Sequence, residues 1–444
     1  MPHRLIRLSL AVLAVGLAAP AVAAGAVHRE AYFSAPIDTE PYEAEQQYQL
    51  LLPDGRHAPG GKGGWITAMD SDVVGERSAT AHELPIQDVM VHHLVFGSLT
   101  HLRAPLSCGG RFYGRGEEHQ RFRLPPGYGL PNRTEDGRSP TWYLAHMLMN
   151  HRGSPRRVYV RTRVTWTDEP PKREVDPLFL DAKRCAIDPV YDVPGGRRRG
   201  SIHRNSRNFR WPQGYSGRII SAAGHLHGGG RYVRLRNRTC RRDLVDSKAY
   251  YGLPNHQFYR VKPRLHEASP VRVGAKQTPT GIPVAAGDRV RLTAGYDNHN
   301  LHTRVMNIMG GFFVRDPSVK GCPRMPRDVR NMNRPRRFRA LPPRYRVPLV
   351  KRPTGPWRRL GGNSVFIGGL FFEPNRVTLR AGQRIRWRFQ TRELHSVTVT
   401  QGPRGFSSPW RRSGSFSYRP RVKGTYKIFC SLHPAAMTQE LRVR

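Results

Sequence analysis

The chain has 444 residues, with 74 Lys and Arg against 32 Asp and Glu, a net charge of +42, 38% hydrophobic residues and 5 Cys. That length accommodates about two to four domains with real cores. The 44 Gly and 38 Pro, with no long periodic apolar stretch, argue against a helical bundle, and Gly without a three-residue period excludes collagen.

A basic surface attracts phosphates, but a nucleic-acid partner is disfavoured here. The charge is dominated by Arg and spread along the chain, with only short runs such as Arg197, Arg198 and Arg199. No RNA-binding, helix-turn-helix or zinc-finger pattern accompanies it. Attraction to an anionic cell envelope accounts for the charge equally well, and either kind of adhesion would weaken steeply with salt.

At the N-terminus, Arg4 and Arg7 precede an apolar run over 8–18, and Ala21, Val22 and Ala23 supply the small residues a signal peptidase reads. Residues 1–24 are therefore expected to be a signal peptide, which makes the protein secreted, periplasmic or held in the cell envelope. No later stretch reaches the roughly 20 apolar residues of a bilayer span. Export places the thiols in an oxidising compartment, where five Cys leave one that is free, intermolecular or metal-bound.

Stretches at 89–96, 157–164, 232–235 and 289–293 read as strands from their β-branched content and alternation, and Gly, Pro, Asn and Asp clusters separate them. The expected class is all-β: two antiparallel, jelly-roll-like sandwiches over 25–170 and 171–315, an Arg/Pro-rich linker over 316–362, and a Greek-key sandwich over 363–444.

The last block carries His395, then Cys430, His433 and Met437 on one short stretch. Two imidazoles, a thiolate and a thioether suit copper, because soft sulfur stabilises Cu(I) while imidazole suits both oxidation states. Over essentially its whole length this block resembles the cupredoxins, the plastocyanin-like blue copper proteins. The resemblance implies that His395, Cys430, His433 and Met437 are the ligands of a type 1 copper, with Met437 the least firmly placed because the loop length varies among members.

In the first block His92 and His93 are adjacent on an apolar strand. Successive strand side chains point to opposite faces, so both can reach one metal only at a bulge, a strand end or through different ring nitrogens. His146 and His151 offer a third imidazole. In the second block His225 and His227 stand two apart, as same-face neighbours on a strand, followed by Gly228, Gly229 and Gly230, and Met306 and Met309 offer a thioether farther on.

These two blocks, in order, resemble the copper type II, ascorbate-dependent monooxygenases, the family of peptidylglycine alpha-hydroxylating monooxygenase and dopamine beta-monooxygenase. The resemblance runs through the Val91, His92, His93 strand, the turn at 124–129, the strand ending at His151, His225-x-His227 and the Met-bearing strand. It implies an electron-transfer copper on His92, His93 and His151, with His146 in reserve. It also implies a catalytic, oxygen-activating copper on His225, His227 and Met306, with Met309 as the shifted-register alternative and His302 close by.

The chain departs from the peptide-processing members at Ala223, where they place an Arg that holds the substrate carboxylate, and around Met309, Gly310 and Gly311, where their tyrosine has no match. The expected function is an exported copper monooxygenase that hydroxylates a C–H bond of a small-molecule or peptide substrate. It would use O₂, an electron donor and up to three coppers, two type 2 and one type 1. The alternative is a non-enzymatic copper-binding or electron-transfer protein in which only the last block is redox active. Cys108, Cys185, Cys240 and Cys322 remain for disulfides, with Cys322 paired to Cys185 or Cys240 as the favoured bridge.

Overall fold

The computed structural model describes residues 26–343, 345–360, 362 and 364–444. The signal-peptide expectation lies outside them. The described chain is all-β, with strands joined by turns and two single-turn 3₁₀ helices. None of its helices is long and apolar enough to cross a membrane.

In the first block a seven-stranded sheet contains Val27–Phe33, Arg156–Thr167, Gly64–Val74 and Tyr128–Asn132. A four-stranded sheet runs Ala44–Leu51, Trp142–Asn150, Val89–Ser98, Arg111–Gly116. Ile66, Met69, Val73 and Val160 from one sheet and Val91, Leu94, Phe96, Trp142 and Leu144 from the other share one buried cluster. Alternation sends Leu144 and Leu148 into this cluster, while Met147 and Met149 on the opposite face of the four-stranded sheet are buried in another.

The second block pairs two five-stranded sheets. One is centred on Ile308–Arg315 and Gly217–His225, the other on Arg289–Asp297 and Gly230–Asn237. Trp211, Ile219, Leu235, Leu292, Met309 and Phe313 lie in the core of this block. The third block sets a five-stranded mixed sheet around Thr438–Val443 and Gly424–Phe429 against a four-stranded sheet around Ile385–His395 and Arg411–Tyr418. Trp387, Phe389, Tyr426 and Ile428 are buried among its core residues.

The stretch read as a linker is mostly irregular yet pinned along its course. Cys322 is bonded to Cys240, and the Asp328 carboxylate accepts hydrogen bonds from the Thr278 and Thr280 hydroxyls. Val347 and Leu349 are buried, and the Val347 carbonyl accepts from Gln401. The segment therefore straps the second block to the third. The second bridge is Cys108–Cys185, which ties the first block to the second, so Cys322 takes Cys240 and not Cys185.

The third block docks directly on the other two. The Ala44 N–H donates to the Leu432 carbonyl at 2.9 Å, beside the Cys430–Met437 loop. Asp192 accepts from the Ser407 backbone and hydroxyl at 2.7 Å, and Arg304 donates to the Ser408 carbonyl while its guanidinium lies 4.3 Å from the Trp410 ring centroid. Ala44, Met147, Met149, Leu265, Cys430 and Met437 all belong to a single apolar cluster.

Inside the first block, Arg161 donates to both oxygens of Asp72 at 2.9 and 2.8 Å with both side chains buried, and Arg163 adds a third cationic contact. Breaking a buried pair by removing one partner strands the other charge in a low dielectric. Asp72→Ala is expected to lower stability by about 3–5 kcal/mol, read as a shift of the urea midpoint, whereas Asp38→Ala, whose Arg157 partner is exposed, should leave the midpoint nearly unchanged.

Candidate metal centres

Val91 pairs with Leu148 and His93 with Met147, so His92 is an extra residue between consecutive pairs of the strand ladder. That bulge overrides the alternation of side chains and stacks the His92 and His93 rings face to face at 4.3 Å. His225 ends the strand Gly217–His225, and His227 follows in the turn whose Gly229 takes φ +80. A Cβ at Gly229 would lie 2.2 Å from the His302 ring, so the turn requires glycine for space as well as for its left-handed backbone.

These elements bring three Nε2 atoms together: His93 to His227 at 3.1 Å, His93 to His225 at 3.2 Å and His225 to His227 at 3.2 Å. Metal–nitrogen bonds of about 2.0 Å in a tetrahedral site space their donors by about 3.3 Å, so this triangle has the dimensions of three ligands on one ion. His92 belongs to the same tight group of ligand atoms with His93 and His227.

The surroundings set the ring orientations. Glu118, buried, holds His225 Nδ1 at 2.7 Å, which fixes the N–H there and turns the Nε2 lone pair to the centre. Burial works against a charge on His225, but the Glu118 charge and hydrogen bond, with Glu117 behind, outweigh it and raise its pKa. Burial and the neighbouring imidazoles hold His93 and His227 well below the ordinary histidine value. The Tyr296 hydroxyl receives the His227 backbone N–H at 3.1 Å and donates to the Met306 carbonyl at 2.8 Å, locking the turn to the Met-bearing strand His302–Met306.

Two cavities flank the triangle. One, of about 380 Å³, is lined by His93, His225, Met306, Tyr48, Tyr143, Phe179 and Trp410. The other, of about 110 Å³, runs from His92, His93 and His227 past Met306 and Trp410 to Phe429 and Ser431 of the third block. Met306 therefore borders both cavities, whereas Met309 is packed in the second-block core.

The other expected first-block ligands stand elsewhere. His151 is buried with its Nδ1 3.3 Å from the Pro263 carbonyl, outside the three-nitrogen group. His146 lines the larger cavity with Gln49 3.4 Å from its Nε2. His302 is an ion-pair partner: its Nδ1 lies 2.7 Å from Glu267, and although burial pulls its pKa down, the charges of Glu267 and Asp297 push it up to about 9. The separate sets His92/His93/His151 and His225/His227/Met306 are thus regrouped, because the bulge delivers His93 to the second block. Glu117, Glu118 and His266 were not singled out from sequence; the one available signal was the adjacent acidic pair in a strongly basic chain.

In the third block His395 Nδ1 and His433 Nδ1 lie 3.1 Å apart, at 3.8 and 3.5 Å from the buried Cys430 sulfur. Bonds of about 2.0 Å to nitrogen and 2.3 Å to sulfur space the donors of a trigonal site by about 3.5 Å. The Thr391 hydroxyl sits 3.2 Å from His395 Nε2 and fixes which nitrogen faces the sulfur. Met437 is fully buried, and its loop is closed by Cys430 N–H to the Met437 carbonyl and Met437 N–H to the His433 carbonyl. Burial pushes the Cys430 thiol up, partly offset by backbone N–H groups including that of Ser396. Both clusters fit copper by donor type and spacing: three imidazoles in one, and two imidazoles with a thiolate in the other. The remaining close group, Cys108, Asp181 and Cys185, holds a disulfide and is no metal site.

No family model matches the chain, and no curated protein matches it. Among solved structures it is similar to a purple cupredoxin from Nitrosopumilus maritimus, at 19% identity over 18% of this chain and 98% of that one, with a TM-score of 0.17. It is also similar to a reduced amicyanin variant, at 23% identity over 19% and 83% with a TM-score of 0.17. Auracyanin A from Chloroflexus aurantiacus gives 17% over 20% and 100%, again with a TM-score of 0.17. The copper reading itself rests on the donor geometry.

Glu118→Gln removes the charge behind His225 and is expected to weaken copper at the imidazole triangle about 10–100-fold while leaving the Cys430 centre unchanged, as measured by chelator competition. His101 and His146 are both lowered to about 4 by burial, with Asp176 partly opposing at His101. Their unfolded forms bind protons more readily, so the stability they contribute is complete above about 6.5 and is lost as pH falls toward 4. The urea midpoint of the metal-free protein should drop across that window, and His101→Gln should flatten the slope.

Proposed function

We propose that this protein is an exported multi-copper oxidoreductase, a copper monooxygenase acting on a C–H bond, in which the third block relays electrons to the imidazole centre. The observation that carries the reading is the Nε2 triangle of His93, His225 and His227, opening on a large cavity on one side and facing the Cys430 block on the other. Held there, copper supplies the one-electron chemistry with O₂ that C–H hydroxylation requires.

The chain's own residues do the remaining work. Glu118 and Tyr296 hold the ligand rings and turn in place, so that binding costs little reorganisation. Tyr48, Tyr143, Phe179 and Met306 give the larger cavity an apolar wall that accommodates a small organic molecule or a peptide end. Trp410 lines both cavities and donates its indole N–H to Ser431, the residue after Cys430, at 3.0 Å. Arg304 stacks on Trp410 and ties it to the strand of Met306. This connected path suits Cys430, His395, His433 and Met437 as the type 1 relay.

A second reading, a copper-binding or electron-transfer protein without hydroxylase activity, is favoured by one observation: the regrouping leaves His92 and His151 without the separate His92/His93/His151 electron-transfer centre.

Loading the protein with Cu(II) is expected to give one blue, thiolate-type EPR signal and at least one tetragonal imidazole-type signal. His225→Ala should abolish the tetragonal signal at the triangle and spare the blue one, and Cys430→Ser the reverse. Ascorbate-driven O₂ consumption that needs both His225 and Cys430 supports the monooxygenase; a blue signal with no such consumption leaves the electron-transfer reading.

A further inference from the structure

Beyond the two clusters described above, a small chamber of about 10 Å³ lies between the first block and the 258–268 segment of the second, lined by Met90, Glu117, His151, His266 and Tyr345 among others. Its volume suits one ion or one water. Two imidazoles enter it in the same way. His266 Nδ1 lies 2.6 Å from the Glu267 carbonyl and His151 Nδ1 lies 3.3 Å from the Pro263 carbonyl. A carbonyl only accepts, so in each neutral ring the proton sits on Nδ1 and Nε2 carries a lone pair.

Those lone pairs have no acceptable neighbour in the protein. His266 Nε2 faces the Met90 sulfur at 3.1 Å, lone pair against lone pair. His151 Nε2 is buried without any hydrogen-bond partner, in a residue only 3% exposed. A proton on His266 would relieve the first contact and leave the second nitrogen orphaned, whereas a cation in the chamber would bridge His266 and Met90 and stand beside the His151 ring, whose centroid lies 6.3 Å from that of His266. Bonds of about 2.0 Å to nitrogen and 2.3 Å to sulfur subtend 3.1 Å near a right angle. Glu117 supplies a nearby negative charge, 3.8 Å from His266 Nδ1. The one cationic side chain on the wall, Arg264, is stacked on Tyr345 at 4.6 Å.

We infer that His151, His266 and Met90 form a further metal site, selective for a soft monovalent ion, Cu(I). A thioether with neutral imidazoles selects Cu(I) over zinc or a hard divalent ion. The site stands apart from the His93, His225, His227 triangle but touches it through His92, whose ring stacks on His93 at 4.3 Å and on His266 at 5.3 Å.

The test uses Ag(I), a redox-inert Cu(I) mimic, titrated into the full-length protein carrying ¹³C-methyl methionine. The Met90 methyl resonance, assigned by its loss in Met90→Leu, is expected to shift during the titration, and Met90→Leu should bind one Ag(I) fewer per chain while keeping the Cu(II)–thiolate absorption. His266→Gln should lose the same equivalent, which covers the case in which Met90→Leu fails to fold. A Met90 resonance that stays put after the Cys430 centre has filled, or equal Ag(I) uptake by wild type and both variants, overturns the site and leaves a water-filled chamber. Neither result depends on O₂ consumption, so the oxygenase reading and this one fail separately.

Discussion

Three imidazole nitrogens held 3.1–3.2 Å apart in a buried site repel one another unless a cation stands between them. The rest of the molecule is arranged around that constraint. A bulge in the first block supplies His93, and a strand end and a glycine turn in the second supply His225 and His227. The Cys108–Cys185 bridge fixes the two blocks across the same seam. If either block moved by an ångström the triangle would open, so the interface between the blocks is as much a part of the centre as its ligands.

The third block obeys the same logic. Its thiolate cluster is complete within itself, yet it is locked to the other two by backbone and side-chain bonds at Ala44, Asp192 and Arg304, and by the strap through Val347. Here the apolar surface shared by Met147, Met149, Leu265 and Leu432 holds Ser431 on the wall of the cavity that reaches His93. The two clusters are therefore held in one fixed arrangement.

Acidic groups are scarce in so basic a chain, and three of the glutamates stand beside histidines. Glu118 stands behind His225, Glu117 beside His92 and His266, and Glu267 behind His302. Each is paired with an imidazole rather than with one of the many arginines. At His225 that pairing turns the second ring nitrogen inward toward His93 and His227, whereas His302, flanked by Glu267 and Asp297, stays an ion-pair partner.

The sequence by itself determined the all-β class, the strands around His92 and the close spacing of Cys430, His433 and Met437 on one loop, because alternation and short-range spacing are local properties of the chain. For the adjacent pair His92 and His93 it left a bulge, a strand end or different ring nitrogens as ways to reach one metal, and the structure has a bulge there. Only the tertiary structure decided the partner of His93, the core position of Met309, the ion-pair role of His302 and the Cys240–Cys322 bridge. Those outcomes depend on which sheet faces which. That is set by burying apolar faces separated by a hundred residues or more, and no local pattern in the chain encodes it.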